Sequence, residues 1–254
     1  MKRLLAAGAA LLGSMAPAAA QTSPPPAVAT LRVFAAASLG EAFKDLTRDF
    51  EARVELNLAG TQVLRLQIEQ GAAADVYAFA DVADAEALHA KGVVQAPRVF
   101  ARNVLCVVTP RAHPRVAALG DLARPGTKIV MGAEAVPAGR YAGQALEKMD
   151  ADGRFGAGFR RRVLANVVSQ EANVRLVLAK VALGEADAGF VYVTDAAGNA
   201  QVNTIAIPEE LNVVGRYGIG FVAAAPPPAA RAFVEAVLGA PGQAALKAHG
   251  FLPP

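Results

Sequence analysis

Short β-branched or apolar runs alternate along the chain with stretches whose apolar residues recur every three or four positions, the pattern of parallel α/β architecture. Leu31-Arg32-Val33-Phe34-Ala35 predicts a strand, after which Leu39, Phe43, Leu46 and Phe50 fall on one helical face. Val54–Leu58 predicts a second strand, and Thr61–Gln70 a helix stopped by Gly71. Asp75–Phe79 predicts a third strand, followed by a helix over Ala83–Ala90 that Gly92 closes, and Val104–Val108 a fourth. Lys128–Met131 opens a second α/β region, with helices near Ala138–Met149 and Val174–Leu183 and a strand at Phe190–Val193. The extended stretch Gly218–Val222 precedes two more helices, Arg231–Leu238 and Gln243–His249, with Pro226-Pro227-Pro228 in the turn between. No fixed-period repeat interrupts this order.

The first twenty residues break the alternation. Lys2-Arg3, the apolar stretch Leu4–Leu12 and the small residues Ala18-Ala19-Ala20 together read as a cleavable signal peptide, with Gly13, Ser14 and Pro17 cutting the run too short for a membrane span. The mature chain would begin near Gln21 and be periplasmic, and no cysteine stands near that point to carry a lipid. Charge then changes the picture. The 25 basic and 22 acidic side chains give a formal net charge of +3 and a pI near 9.2. Removing Lys2 and Arg3 leaves 23 basic against 22 acidic, a net charge of +1. The one tight basic cluster, Arg160-Arg161-Arg162, reads as a solvated helix face, so no nucleic-acid partner is expected. Cys106, the single cysteine, lies in the apolar run from Val104 to Val108 and reads as a small buried hydrophobe.

Catalytic chemistry finds little support. Ser38 has the second glycine of a nucleophile elbow, Gly40, without the first. His89, His113 and His249 are scattered, there is no cysteine pair, and Gly139-Arg140-Tyr141-Ala142-Gly143 matches neither nucleotide loop. No catalytic residue and no metal ligand is therefore assigned. More informative is where the helices begin. Ser38-Leu39-Gly40-Glu41 has the form of a capping box directly after a strand. Gly60-Thr61, Pro137-Ala138-Gly139 and Asn173-Val174 start helices in the same manner. Helix starts carry unpaired N–H groups and a partial positive charge, so several that converge make an anion site without Lys or Arg. The same residues also suit simple caps, and spacing alone does not choose.

At these residues the sequence resembles the periplasmic molybdate-binding proteins of ABC transporters, within the type II solute-binding family. The resemblance runs through Val33-Phe34-Ala35-Ala36-Ala37-Ser38-Leu39, the segment from Gln67 to Val76, Val136-Pro137-Ala138-Gly139-Arg140-Tyr141-Ala142, Asn173-Val174-Arg175, Gly189-Phe190-Val191-Tyr192 and the C-terminal stretch from Gly242 to Phe251. It implies a two-lobed α/β fold with the ligand in a cleft between lobes joined by crossing strands. Lobe 1 would take residues 30–107 and 215–254, and lobe 2 residues 108–214. It further implies a non-enzymatic, monomeric protein that needs no cofactor, binds molybdate or tungstate through neutral donors and hands it to a membrane permease. Carried over, Ser38 would give hydroxyl and backbone N–H, Thr61 its hydroxyl, Ala138 and Val174 backbone N–H groups, and Tyr192 its phenol O–H. Gly60-Thr61-Gln62 departs from that family's serine run: Thr61 keeps the hydroxyl, adds a methyl, and brings Gln62 toward the site.

Rival readings are the same fold holding sulfate, another oxyanion or a small carboxylate, an iron-binding relative using Tyr192 as phenolate, and a serine hydrolase on Ser38.

Overall fold

The first apolar run forms β1 (Thr30–Ala36), which leads through a 3-10 turn, Ala37–Leu39, into α1 (Gly40–Thr47). β2 (Arg53–Ala59) pairs with it in parallel, as does β3 (Val76–Phe79) on its other side. The crossovers are α2 (Thr61–Glu69) and, after β3, α3 (Val82–Ala90). The computed structural model describes residues 30–254; the expected signal peptide and the linker after it lie outside the described residues. From Val33 to Ala36 β1 is buried on both faces, as a parallel strand under helices must be. Val33 and Ala35 enter the main core, while Phe34 joins Leu64, Ile68, Tyr77, Phe79 and Leu88 in a smaller cluster beneath α2 and α3.

A second parallel group follows: β5 (Ile129–Gly132), β6 (Val167–Glu171) and β7 (Ala188–Tyr192), with α4 (Pro137–Asp152), α5 (Phe159–Ala165) and α6 (Val174–Ala182) between them. β4 (Arg98–Pro110) joins the two groups. Its first half, Arg98–Val104, pairs antiparallel with β9 (Val214–Phe221), which in turn pairs with β3. From Leu105 onward β4 pairs instead with β7 and with β8 (Val202–Ala206). The strand order is therefore β2-β1-β3-β9-β4-β7-β5-β6, with β8 paired to β4. After β7 comes the short α7 (Val193–Ala196), and after β9 come α8 (Pro228–Leu238) and α9 (Ala240–Ala248).

Several elements differ from the sequence pattern. β4 begins at Arg98, because Arg98, Arg102 and the buried Asn103 hide the strand signal at its start. β6 and β8 give no apolar run: their residues alternate between half-buried and exposed, as in strands with one wet face. β9 starts at Val214, four residues ahead of the predicted Gly218. Val193 opens α7 rather than closing β7. Arg160–Arg162 does lie on a helix, α5, where Arg160 pairs with Glu147 at 3.2 Å. Cys106 is buried in β4 between Val191 and Ala206, and burial, with Asp195 adding to it, pushes its thiol up to about 12. It stays protonated and serves as packing.

Candidate functional site

β1, β2, β5, β6 and β7 each lead into a helix or 3-10 turn, directly or through a short loop. The hand-over residues are Ala36, Gly60, Val136, Asn173 and Tyr192, and each is the N-cap of the element that follows. All five starts meet at one small cavity with about 230 Å³ of empty space, its mouth included. Its lining comprises Ala36–Ser38, Ala59–Thr61, Ala80, Val136–Ala138, Asn173, Val174 and Tyr192. The carboxyl ends of parallel strands are where open α/β sheets hold their ligands. The structure thus brings Ser38, Thr61, Ala138, Val174 and Tyr192 into one place, all of them buried. None of the lining residues carries a formal charge.

Two close approaches make this geometry possible. Gly139 lets the first turn of α4 settle against the end of β5, where a Cβ would stand 2.2 Å from the Ala133 carbonyl oxygen. Gly60 lets the β2–α2 junction touch the β6–α6 junction, where a Cβ would stand 2.2 Å from the Ala172 carbonyl oxygen. Both distances are far inside van der Waals contact, so only glycine fits.

Ser38 and Thr61 do not act as simple caps. The expected capping box at Ser38 is absent: Leu39 is the N-cap of α1 and no side chain bonds there. A 3-10 turn takes up the position, and Ser38 Oγ lies 2.9 Å from Tyr217 Oη instead. Glu41 faces Lys44 at 3.1 Å and Arg175 at 3.6 Å. Thr61 does not cap α2 either; its Oγ1 accepts the Ala80 N–H at 3.1 Å, which leaves its own proton uncommitted. Asn173 is a true cap, with Oδ1 accepting the Leu176 N–H at 3.2 Å. Tyr192 Oη is buried and has no hydrogen-bond partner among the described residues. Burial holds the phenol well above its ordinary pKa, so it is a donor in want of an acceptor. Tyr217 and Tyr141 are likewise pushed up by burial, so these neighbours are neutral phenols too.

Charges are confined to the surroundings. Arg140 on α4 reaches Asp81 at 2.8 Å and Asp84 at 2.7 Å beside β3, and Asp84 also meets Arg65 at 2.8 Å. Arg175 on α6 lies 3.3 Å from the buried Asp195 and 3.6 Å from Glu41. Gln62 does not line the cavity: its Nε2 donates to Ala172 O at 2.7 Å, which ties the two junctions together, and its Oε1 is left without a partner. Sequence reasoning missed Ala80, Tyr217 and the ring of ion pairs. Arg140 stood inside a recognised motif, but its carboxylate partners are 59 and 56 residues away and gave no local signal. Chemically, the cavity offers N–H and O–H donors and holds no His, carboxylate or thiol for acid–base or nucleophilic work.

Residues 31–252 match the bacterial extracellular solute-binding protein family. The sequence is 36% identical to the molybdate-binding protein ModA of Mycobacterium bovis over 260 aligned positions, spanning 99% of this chain and 95% of that relative. The solved periplasmic molybdate-binding protein of Azotobacter vinelandii is similar with a TM-score of 0.76 at 20% identity, covering 88% of this chain and 99% of that one. The sulfate-binding protein SubI of Mycobacterium tuberculosis reaches the same TM-score at 17% identity, covering 88% and 86%. Those two scores establish a common fold and leave the choice of anion to the site.

Proposed function

The chain belongs to the bacterial extracellular solute-binding protein family, and on that footing we propose that it captures molybdate, or tungstate, and delivers it to the permease of an ABC transporter. The observation that carries the reading is the meeting of five helix and turn starts at one buried cavity free of formal charge. A dianion there would be stabilised by N–H groups left unpaired in the first turns and by their partial positive charges. Ser38, Thr61 and Tyr192 would add hydroxyl donors, and Ala138 and Val174 backbone N–H groups. Tyr192 Oη, buried without a partner, would gain the acceptor it lacks.

Two lobes would move about the crossing strands, residues 30–107 with 215–254 on one side and 108–214 on the other. Support comes from β4, which exchanges β9 for β7 and β8 between Val104 and Leu105. Ser38 and Thr61 would come from one lobe, and Ala138, Val174 and Tyr192 from the other. An anion seen by both sets favours the closed form by its differential affinity, and the closed form is what a permease would read. Gln62–Ala172, Arg140–Asp81 and Arg175–Glu41 would be contacts of that form. Delivery to a permease implies export. The signal peptide read over residues 1–20 would provide it, and mass spectrometry of the secreted protein, expected to start near Gln21, tests that step.

Ion choice follows from the donors. Phosphate near neutral pH keeps a proton that would be buried unpaired, at a cost of about 1–3 kcal/mol. Sulfate has no such proton, but its smaller radius stretches bonds from two rigid lobes. Calorimetric titration of the mature protein with molybdate, tungstate, sulfate and phosphate tests the reading. Molybdate and tungstate are expected to bind tightly, sulfate much more weakly and phosphate hardly at all. Sulfate binding as tightly as molybdate overturns the size argument, and no anion binding overturns the site.

A further inference from the structure

We propose that Tyr217 is a positioning residue that fixes the direction of the Ser38 hydroxyl, through a hydrogen-bond relay that starts at Asn103, so that Ser38 donates to the bound anion. The proposal deepens the anion-site reading and rests on it.

The direction of the relay is set at its far end by a backbone group. Val104 N–H donates to Asn103 Oδ1 at 3.0 Å, which commits that oxygen as acceptor and orients the amide. Asn103 Nδ2 is then the atom that faces Thr194 Oγ1 at 2.8 Å and Tyr217 Oη at 3.4 Å. An amide nitrogen only donates, so Tyr217 Oη accepts from it and its single proton is free to run onward. Ser38 Oγ lies 2.9 Å away, a distance at which either hydroxyl can donate, and we assign the donated proton to Tyr217 because its oxygen already accepts from Asn103. Ser38 then has an accepted bond behind it and its own proton turned toward the cavity it lines. Run in the opposite direction, the pair would aim the Ser38 proton at Tyr217 and present only lone pairs to an anion.

Tyr217 does not itself line the cavity, so it acts through Ser38. Its ring is held edge-on by Phe100, Phe251 and Tyr192, with centroids 6.2, 5.5 and 5.8 Å away, which keeps Oη from swinging off the relay. Asn103 and Tyr217 are fully buried, so water does not compete for these bonds. Burial also keeps the phenol protonated across the working pH range. The relay sits on β4 and β9, the strands that pass between the two parallel groups, and its output emerges just beyond β1.

A double-mutant cycle on molybdate affinity tests the proposal, with melting temperature followed in parallel. Ser38→Ala is expected to weaken binding about 10- to 100-fold, as loss of a charge-assisted hydrogen bond does. Tyr217→Phe should weaken it about 3- to 30-fold, because the Ser38 hydroxyl loses its bias but not its existence. In the Ser38→Ala background, Tyr217→Phe should add less than about a twofold change, since the group it orients is gone. Tyr217→Phe weakening both backgrounds by the same factor, or leaving wild-type affinity intact, overturns the relay. Unchanged affinity in Ser38→Ala alone overturns the anion-site reading and the relay with it. Should the phenylalanine variant prove too unstable to titrate, Asn103→Ala takes its place in the cycle: a loss confined to the Ser38 background supports the relay, and an equal loss in both overturns it.

Discussion

Inside the cavity the polar side chains are Ser38, Thr61, Asn173 and Tyr192, and the rest of the lining is backbone and small apolar groups. Around it, the contacts run through Arg140, Asp81, Asp84, Arg65, Arg175, Asp195 and Glu41, nearly all of them paired in opposite charge. An arginine within the cavity would attract any anion and would need little shape to do it. Neutral donors at fixed positions reward only an ion whose oxygens meet them, so recognition is placed in geometry. Arg140 with Asp81 and Asp84, and Arg65 with Asp84, are paired with each other rather than turned toward the cavity. On the proposed reading they hold the halves together and leave selection to the interior. On that reading the partition would separate how strongly the protein closes from what it closes upon.

The sharpest way to break that partition is to block closure without touching a donor. Gly60 has φ −64° and ψ 141°, where alanine is at ease, so Gly60→Ala strains no backbone torsion and locally displaces only the flexible Gln62 side chain. Its Cβ would still press on Ala172 O, and molybdate affinity should fall by about 100-fold, the upper end of an overpacking cost, while the melting temperature without ligand changes little. Affinity within threefold of wild type would show that these junctions need not meet.

Next in size comes an interior donor. Tyr192→Phe should weaken molybdate about tenfold by calorimetry. The same change should hold or raise the ligand-free melting temperature, because the removed hydroxyl is buried and unpartnered. A loss of stability with affinity retained would make Tyr192 a packing residue.

The rim should respond less. Arg140→Ala removes the bonds to Asp81 and Asp84, whose carboxylates are buried, but Asp84 keeps Arg65 and Asp81 keeps the Ala83 N–H, which limits the loss. Affinity should fall only a few-fold, seen in stopped-flow as faster release, and added salt should weaken wild type more than the variant. A hundredfold loss would move recognition out to the rim.

The smallest effect concerns stability alone. Burial pushes the Asp195 carboxyl up to about 7 against the pull of Arg175. An unfolded carboxyl releases its proton near 4, so between about 4 and 7 the folded chain holds a proton that the unfolded one has lost. The stabilisation tied to Asp195 is complete below that range and disappears as pH rises through 7. Asp195→Asn leaves Arg175 with only Glu41, which offsets part of the gain. The net benefit should be about 1 kcal/mol, or a few degrees in melting temperature, at pH 8.5 and close to nothing at pH 4. Equal shifts at both pH values would show that the carboxyl does not titrate in that window.

Periodicity and punctuation carry most of the parallel strands and the helices over them, because each is a local pattern of burial. The helix starts at Thr61, Pro137 and Val174 were legible for the same reason. Ser38-Leu39-Gly40-Glu41 has the local form of a capping box, and a contact 179 residues away in sequence takes the Ser38 hydroxyl elsewhere. β6 and β8 stayed hidden because a strand with a wet face and only five residues has little to distinguish it from loop. Asn103 looked like an interruption in an apolar run, yet it is a fully buried member of β4 whose partners lie on α7 and β9. What the pattern could not carry in each case was a polar pairing made only by tertiary structure.

The backbone origin of the donors at Ala138 and Val174 has an evolutionary consequence. If recognition there uses main-chain N–H groups, any residue but proline supplies the donor, and the side chain is free to drift so long as it fits. Selection would then act on where a helix begins more than on which amino acid begins it. Descendants of such a protein could exchange most of their residues and inherit the same ion, while one insertion ahead of Pro137 or Asn173 could cost them the trait.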